Sequence, residues 1–350
     1  MSELRKDLIS GRWVIIATER SKRPDDFRPA AGQPRAEEAR GFCPFCMGNE
    51  GKTPPEVYAL REAGTSPDTP GWRVRVVPNK FPALNRGTTP PKRRRGIFEW
   101  MEGIGVHEVI IENPDHDKEL VDLAPAQMTD VLRVMQQRIK SIEEDLHYQY
   151  VQLFKNKGKE AGASLSHPHS QLVATPIVPK RVKEEVYGAD RLFRSFKECG
   201  FCRIVREEQA MGERLVYQNR HFAVITPFAS RFPFEMALFP LRHMPLFTAM
   251  RNEEVESLAE ALKVILTSLR VTLDDPAYNL VLHKAPNPAL SFKTWPGIDS
   301  YFHWHIEIFP ILTKVAGFEW GTGYYINPVP PETAAGFLRE KTPKGRSGPG

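Results

Sequence analysis

Two copies of one pattern of cysteines and histidines constrain this chain more than any other feature of its sequence. The four cysteines form two Cys-x-x-Cys pairs, and each pair can be matched with one histidine further along the chain and with a later His-x-His motif. The first set is Cys43, Cys46, His116 and His167-Pro168-His169, and the second is Cys199, Cys202, His243 and His303-Trp304-His305. A repeat of about 150 residues is too long for a solenoid and predicts two copies of one α+β unit.

The apolar pattern supports the duplication, because each half contains strand-like segments, a helical segment and two more strands around a loop. The helical segments are residues 124–146 and 255–269. Glu108 matches Glu235, since each precedes its histidine, His116 or His243, by the same number of residues. We expect an α+β fold with mostly antiparallel sheets, divided into residues 1–180, residues 181–335 and a disordered tail at 336–350.

Composition favours a globular protein outside membranes. The N-terminus lacks the apolar core of a signal peptide, and no run of eighteen apolar residues occurs, which predicts a cytoplasmic location and no membrane partner. The net charge of +5 owes much to the cluster at residues 92–95, for which a solvated loop is the simplest explanation. A zinc-stabilised nucleic-acid-binding protein is the alternative from another functional class.

Each half offers the four ligands of a structural zinc site. A Cys-x-x-Cys pair with two histidines is a common zinc donor set, and a cytosolic chain with this spacing more often binds metal than forms disulfides. We therefore predict Cys43, Cys46, His116 and His167 as site 1, and Cys199, Cys202, His243 and His303 as site 2. Buried, inert cysteines beside core histidines are the alternative.

His169 is the predicted nucleophile. Side chains alternate along a strand, so His169 faces the same side as His167, and a metal on His167 would hold the backbone in place. An oriented, uncoordinated imidazole can attack phosphorus to form a phosphoramidate, with a backbone carbonyl fixing its tautomer. Gln171 is next on that face and can donate to a phosphate oxygen.

The residues around the nucleophile support a phosphate site. Ser170 lies between His169 and Gln171, and the preceding loop from Asn156 to Ser166 carries glycines, Ser164 and other donors suited to phosphate. His305, His283 and Glu307 in the second half could form a further metal cluster, although lining a groove or satisfying the core is the simpler role.

The chain resembles the galactose-1-phosphate uridylyltransferase family of the histidine triad superfamily. The likeness extends over nearly the whole chain and rests on ordered motifs: GRWVIIATERSKRP, CPFCMGNE, VVPNKFPAL, ENPDH, FKNKG, HPHSQ, PFE, LHKAPN and GFEWGTG. The resemblance implies duplicated halves that form half-barrel sheets with helices on one side, a homodimer with sites at the interface, and a ping-pong exchange.

The resemblance also implies roles for individual residues. His169 would take the nucleotidyl group and Gln171 would donate to phosphate. Asn156 and Ser164 would contact phosphates, Asn79 the nucleoside, Arg20 and Arg23 the phosphates or the interface, and Glu319 the sugar. Zinc at site 1 fits the family.

Two features depart from the common uridylyltransferase pattern. Ser170 stands where the common motif has glycine, and the second Cys-x-x-Cys resembles a two-zinc branch that includes enzymes transferring adenylyl groups from ADP-glucose. The predicted function is uridylyl transfer from UDP-glucose to galactose 1-phosphate, within galactose metabolism, without a nucleic-acid partner. The alternative is an ADP-glucose phosphorylase with the same histidine mechanism.

Overall fold

A computed structural model describes residues 1–20, 22–27, 42–88 and 91–342 of the chain, except for the side chain of Arg20. The strands of the described residues are β1 (Glu3–Lys6), β2 (Trp13–Ile16), β3 (Tyr58–Arg61), β4 (Trp72–Pro78), β5 (Arg93–Arg95), β6 (Phe98–Trp100), β7 (Val106–Ile111), β8 (Tyr150–Lys157), β9 (His169–Thr175), β10 (Leu215–Gln218), β11 (Phe222–Ile225), β12 (Met236–Pro240), β13 (Tyr278–His283), β14 (His305–Pro310) and β15 (Tyr325–Asn327).

The α-helices of the described residues are α1 (Pro125–Glu143), α2 (Lys180–Phe196), α3 (Gly200–Met211), α4 (Asn252–Leu273), α5 (Pro288–Thr294), α6 (Ile298–Tyr301), α7 (Gly317–Thr322) and α8 (Pro331–Lys341). None of the described helices is both long enough and apolar enough to cross a bilayer. The mixed α+β class is confirmed.

A ten-stranded antiparallel sheet forms the centre of the molecule, in the order β10-β11-β12-β14-β13-β8-β9-β7-β4-β3. The strands of the two halves follow the same order outward from the central pair β8 and β13. The motif strands β9 and β14 therefore occupy equivalent places, each flanked by the equivalent strands β7 and β12. The equal strand order shows that the sequence repeat corresponds to two copies of one folding unit.

Helices α1 and α4 cover one face of the sheet, which we call the helical face. The apolar residues of α1 at three- and four-residue steps, such as Met128 and Leu132, are buried in a core with Leu153 and Leu172. The opposite face carries the alternate residues of the same strands. Helices α2 and α3 cover this second face only over the C-terminal half, where Val186 and Phe201 pack in a second core with Phe239.

Two sequence-based expectations differ from the structure. Residues 336–341 belong to α8, where Leu338 is fully buried, so the expected tail does not begin at 336; residues 343–350 lie outside the described residues. Glu108 and Glu235 are not equivalent. Glu108 pairs with Leu172 in β9, and the equivalent Ile308 of β14 pairs with Met236. The two glutamates face opposite sides of the sheet, so equal spacing to a histidine misaligned them by one residue.

Candidate active site

The first Cys-x-x-Cys pair meets its two predicted histidines. Cys43 and Cys46 lie in a turn, His116 follows β7, and His167 directly precedes β9. Cys46 Sγ lies 3.3 Å from His116 Nδ1 and 3.7 Å from His167 Nδ1, and the ligand atoms of all four residues lie within 4.8 Å of one another. These four residues could therefore hold a metal ion.

Hydrogen bonds to the outer ring nitrogens orient both histidines. His167 Nε2 donates to the carbonyl of Asn113 at 2.9 Å, and His116 Nε2 lies 3.0 Å from Ser166 Oγ. Such partners leave Nδ1 of each ring directed at the cysteines, as metal-binding histidines require. Burial lowers the pKa of His167 to about 4, which keeps the ring neutral and able to act as a ligand.

The second Cys-x-x-Cys pair repeats this arrangement. Cys202 Sγ lies 3.4 Å from His243 Nδ1 and 3.3 Å from His303 Nδ1, and Cys199 completes a set whose ligand atoms again lie within 4.8 Å. His243 Nε2 donates to the carbonyl of Asp299 at 2.8 Å. The two predicted ligand sets are therefore each assembled, at equivalent places in the two halves.

His169 is buried at the start of β9 in a fixed tautomer. Its Nδ1 lies 2.8 Å from the carbonyl oxygen of His167, which can only accept, so Nδ1 carries the proton and Nε2 keeps its lone pair. Burial lowers the pKa of His169, and the nearby Lys155 ammonium lowers it further. Phe45 packs edge-on against the ring, 5.4 Å between centroids. The backbone acceptor expected from sequence is thus the carbonyl of the metal-ligand candidate two residues earlier.

Gln171 lies on the same face of β9 as His169 and belongs to a polar group with two side chains of neighbouring segments. His107 of β7 places Nε2 2.8 Å from Gln171 Oε1, and Asn79, which follows β4, places Nδ2 3.1 Å from the same His107 nitrogen. The structure therefore brings three predicted residues, His169, Gln171 and Asn79, to the two strands that flank β7. His107 was not predicted, although it alternates with Val109 and Ile111 on the sheet face that carries His169 and Gln171.

Ser170 points to the helical face, beneath the nucleophile. Its hydroxyl donates to Glu112 Oε1 at 2.6 Å, and Lys155 Nζ lies 2.9 Å from Glu112 Oε2 and 3.5 Å from the carbonyl of His169. Burial acts against the Lys155 charge, but Glu112 and Glu119 outweigh it and raise the pKa of Lys155. Ser170 therefore fastens β9 to a buried ion pair instead of facing the His169 side.

Asn156 and Ser164 lie in and after β8, next to the motif strand. Asn156 Oδ1 accepts a hydrogen bond of 2.8 Å from Asn279 of β13, the strand that joins the two halves. Ser164 is exposed in the following loop, where Gly158 and Gly162 adopt positive φ angles of 85° and 89° that a side chain would strain. The loop leaves the Ser164 hydroxyl open to solvent near the start of β9.

Arg23 and Glu319 are not brought into this group. Glu319 accepts a hydrogen bond from the backbone N–H of Ala316 and caps its own helix α7, and the Arg23 N–H bonds to Asp26. The side chain of Arg20 lies outside the described residues. Among the described residues, neither Arg23 nor Glu319 hydrogen-bonds to His169, Gln171 or Asn79 in the same chain.

A second polar cluster occupies the equivalent place in the C-terminal half. His283 lies 2.8 Å from Glu185 and 3.0 Å from Glu307, and its ring stacks on His305 with centroids 4.7 Å apart. Burial acts against the charge, but the two carboxylates outweigh it and raise the pKa of His283 to about 10. The ligand atoms of Glu185, His283 and His305 are close enough to hold a metal, yet a protonated His283 has no lone pair to give.

This second cluster opens into a cavity of about 880 Å³ beneath α2 and α3. Arg231 also lines it, bonded to Glu307 at 2.6 Å and to Glu235 at 2.8 Å. Gln171 lies two positions after His169 in β9, and Glu307 lies two positions after His305 in β14. The C-terminal half therefore has a carboxylic acid where the N-terminal half has a neutral amide. His305 thus lines a groove, the simpler of its two predicted roles.

Comparison with known proteins identifies similar sequences along the whole chain. The family model described as galactose-1-phosphate uridyl transferase, N-terminal domain, matches residues 1–179, and a domain of unknown function, DUF4921, matches residues 122–342. An ADP-glucose phosphorylase of Arabidopsis thaliana is 36% identical over 97% of this chain and 92% of its own. A galactose-1-phosphate uridylyltransferase of Thermotoga maritima is 31% identical over 97% of this chain and 98% of its own.

Solved structures give the same picture. The structure of an ADP-glucose phosphorylase from Arabidopsis thaliana with bound ADP-glucose matches with a TM-score of 0.80 and 33% identity, over 97% of this chain and 98% of that chain. A uridylyltransferase structure matches with a TM-score of 0.73 and 31% identity over the same shares. The fold and the sequence therefore resemble enzymes of two kinds, one named for ADP-glucose and the other for a uridylyl group.

Proposed function

The chain belongs to the galactose-1-phosphate uridylyltransferase family of nucleotidyltransferases, and from this premise we propose that it transfers a nucleotidyl group through a covalent intermediate on His169. The observation that carries the proposal is the tautomer of His169, whose Nδ1–H is held by the His167 carbonyl while Nε2 keeps its lone pair. Nucleophilic catalysis by histidine requires this form of the ring.

The proposed reaction has two displacements at one phosphorus. His169 Nε2 attacks the α-phosphorus of a nucleoside diphosphate sugar; the N–P bond forms, and the P–O bond to the sugar phosphate breaks as that group leaves with the electron pair. A phosphate oxygen of the second substrate then attacks, and the electron pair of the N–P bond returns to Nε2. The carbonyl of His167 stabilises the positive charge that the ring carries in between.

Gln171 is the proposed donor to the phosphate, since its carboxamide lies on the same face of β9. A neutral N–H donor aimed at a non-bridging oxygen stabilises the charge of the transition state without releasing a proton. We assign phosphate contacts to Asn156 and Ser164 and the nucleoside to Asn79. Ser170 acts from behind the strand, through Glu112, and not as a direct contact.

Uridylyl transfer from UDP-glucose to galactose 1-phosphate is the first candidate reaction. The family model and the relative from Thermotoga maritima support it. Phosphorolysis of ADP-glucose is the second candidate, favoured by the higher identity of 36% and the TM-score of 0.80 to the Arabidopsis enzyme. Both reactions share the His169 chemistry and differ in the base and the acceptor.

Zinc is the metal that we propose for both Cys₂His₂ groups, because the ligand atoms of each group lie within 4.8 Å of one another and two thiolates with two imidazoles are a common structural zinc set. A metal with four protein ligands has no open position for substrate, so these ions would hold the loops in place. The four cysteines are free thiols, and thiolate ligands persist in a reducing compartment, which supports a cytoplasmic location.

We propose a homodimer in which Arg20, Arg23 and Glu319 serve the partner's site. Glu319 lies on α7 beside the exposed side chains of Phe318 and Trp320, the latter 79% exposed. Nucleic acid is not among the proposed partners, because Arg93 and Arg94 of the β5–β6 hairpin pair with Glu102 and Glu99.

Covalent labelling tests the proposal and selects the donor. The protein is incubated without acceptor, in parallel, with UDP-glucose and ADP-glucose that carry label in the α-phosphate. We expect acid-labile, base-stable label on the protein from one donor, and none on His169→Ala. His305→Ala is the matched control, because His305 occupies the equivalent position and should be dispensable for labelling. Label that persists in His169→Ala would remove His169 from the nucleophile role.

A further inference from the structure

His107 is the one polar side chain of β7 that faces the proposed phosphate donor. Its Nδ1 lies 3.1 Å from the backbone nitrogen of Ala83, and its Nε2 lies 2.8 Å from Gln171 Oε1. His107 pairs with Val173 in the register of β7 and β9, so it reaches Gln171 diagonally across the strands.

The hydrogen-bond partners determine which ring nitrogen carries the proton. The Ala83 N–H can only donate, so His107 Nδ1 must accept and is unprotonated. The ring is then the neutral tautomer with its proton on Nε2. A ring flip would replace both nitrogens by carbon at these contacts and lose both hydrogen bonds.

The proton on His107 Nε2 in turn determines the orientation of Gln171. Asn79 Nδ2 also lies near His107 Nε2, but Asn79 Oδ1 accepts from the Phe81 N–H, so the Asn79 nitrogen is a donor. The Nε2 proton therefore goes to Gln171 Oε1, and the carboxamide assignment follows from the network. With Oε1 bonded to His107, both protons on Gln171 Nε2 remain for another acceptor.

We propose that His107 is a positioning residue that locks the Gln171 carboxamide with its N–H groups toward the substrate phosphate. The inference deepens the proposed function and rests on it. The final torsion of a glutamine is broad and roughly two-fold, so an unrestrained Gln171 would present its oxygen to the phosphate part of the time. An oxygen in that place repels the charge that the N–H groups would stabilise.

Two substitutions at His107 separate the effect of its Nε2–H donor from the effect of its side-chain size. In His107→Asn, the amide can still accept from Ala83 at the Nδ1 position but offers no donor at the Nε2 position. In His107→Gln, the amide nitrogen reaches the Nε2 position and can donate to Gln171 Oε1. Both variants are polar, and melting temperature and zinc content verify their folding. His107→Leu is a second variant without a donor, should His107→Asn fail to fold.

The readouts are the rate constant of His169 labelling at saturating donor and the donor dissociation constant, measured separately. We expect His107→Asn to slow labelling by about 10- to 100-fold, less than the loss of a whole transition-state donor, with little change in donor affinity. His107→Gln should recover most of that loss. Equal rates for wild type and His107→Asn would overturn the inference.

A double-mutant cycle with Gln171→Ala shows whether the effect passes through Gln171. In a Gln171→Ala background, His107→Asn should cause no further loss, because no carboxamide remains to be oriented. The same fold-loss in both backgrounds would overturn the inference while leaving the proposed function intact. An unchanged rate in Gln171→Ala alone would instead remove Gln171 from the proposed mechanism.

Discussion

At the scale of single residues, the buried ion pair of Lys155 and Glu112 supports β9, the strand that carries His169. Lys155 and Glu112 are fully buried on the helical face, and Ser170 and the His169 carbonyl are attached to them. A pair of this kind gives little net stability, but removal of one member leaves the other buried charge without its closest partner. Because the pair bonds to the His169 carbonyl and to the Ser170 hydroxyl, it restrains the backbone that carries the nucleophile.

Single and double replacement of this pair should lower stability by different amounts. We expect Glu112→Ala to lower the free energy of unfolding by about 3–5 kcal/mol, because Lys155 is left without its closest carboxylate. The double variant Glu112→Leu with Lys155→Met should cost much less, since no buried charge remains. Denaturant unfolding of the single and double variants measures both values; a double variant as unstable as Glu112→Ala would contradict a charge-based cause.

The pKa of His283 predicts how stability depends on pH. Its folded-state value of about 10 lies above the ordinary value, so its contribution is full below about pH 6.5 and is lost as the pH rises toward 10. The slope from this one group is at most about 1.4 kcal/mol per pH unit. Urea unfolding of wild type and His283→Gln between pH 6 and pH 10 measures it, and parallel curves for the two proteins would exclude His283 as the source.

At the scale of elements, the two Cys-x-x-Cys turns each tie a loop to the strand that carries a His-x-His motif. His167 and His303 directly precede β9 and β14, so a metal on either ring holds the start of that strand. The first tie lies next to the nucleophile candidate, whose Nδ1–H bonds to the His167 carbonyl. The second metal group holds the start of β14, the equivalent strand. That strand has Glu307 where β9 has the neutral amide of Gln171.

Removal of one ligand from each group should therefore have unequal consequences. We expect Cys43→Ser and Cys199→Ser each to lower bound zinc by about one equivalent per chain and to lower the melting temperature. Only Cys43→Ser should also slow labelling of His169, because its loss frees the start of β9. Metal analysis and labelling of the two matched variants test this, and full zinc retention in Cys43→Ser would count against the first site.

At the scale of the whole molecule, the duplicated halves have diverged into two different surfaces. Among the described residues, no helix packs on the face of the N-terminal half that carries His169, whereas α2 and α3 cover the equivalent face of the C-terminal half. We propose that the two halves divide between residues 180 and 181, at the start of α2, and that the second half continues past residue 335 because α8 extends to Lys341. This face, which Phe45 covers in part at His169, is the side on which a partner subunit would complete the proposed site.

Mixed dimers test the proposed sharing of residues between subunits. His169→Ala and Glu319→Ala should each be nearly inactive alone, but a mixed dimer would contain one site with both wild-type residues. We therefore expect turnover to reappear when the two variants are unfolded together and refolded, relative to each variant treated alone. If Glu319 served the site of its own chain, no intact site would form and mixing would restore nothing.

The sequence alone was sufficient for the features that depend on residue type and spacing. Both Cys₂His₂ groups, the α+β duplication and the shared face of His169 and Gln171 follow from ligand chemistry and from the two-residue period of a strand. The apolar spacing of Val182, Val186 and Ala189 also signals α2, which sequence analysis passed over. Such features are local in the sequence, or they occur twice. The second copy indicates which residues far apart in the sequence belong to one group.

Only the tertiary structure decided the features that depend on register between strands distant in sequence. A shift of one residue moves a side chain to the other face of a sheet, which is why Glu108 and Glu235, alike in spacing, lie on opposite faces. The bond from His107 to Gln171 spans 64 positions, and that from Ser170 to Glu112 spans 58. Such contacts arise from pairing across the sheet, and no local pattern in one strand specifies the register of its neighbour.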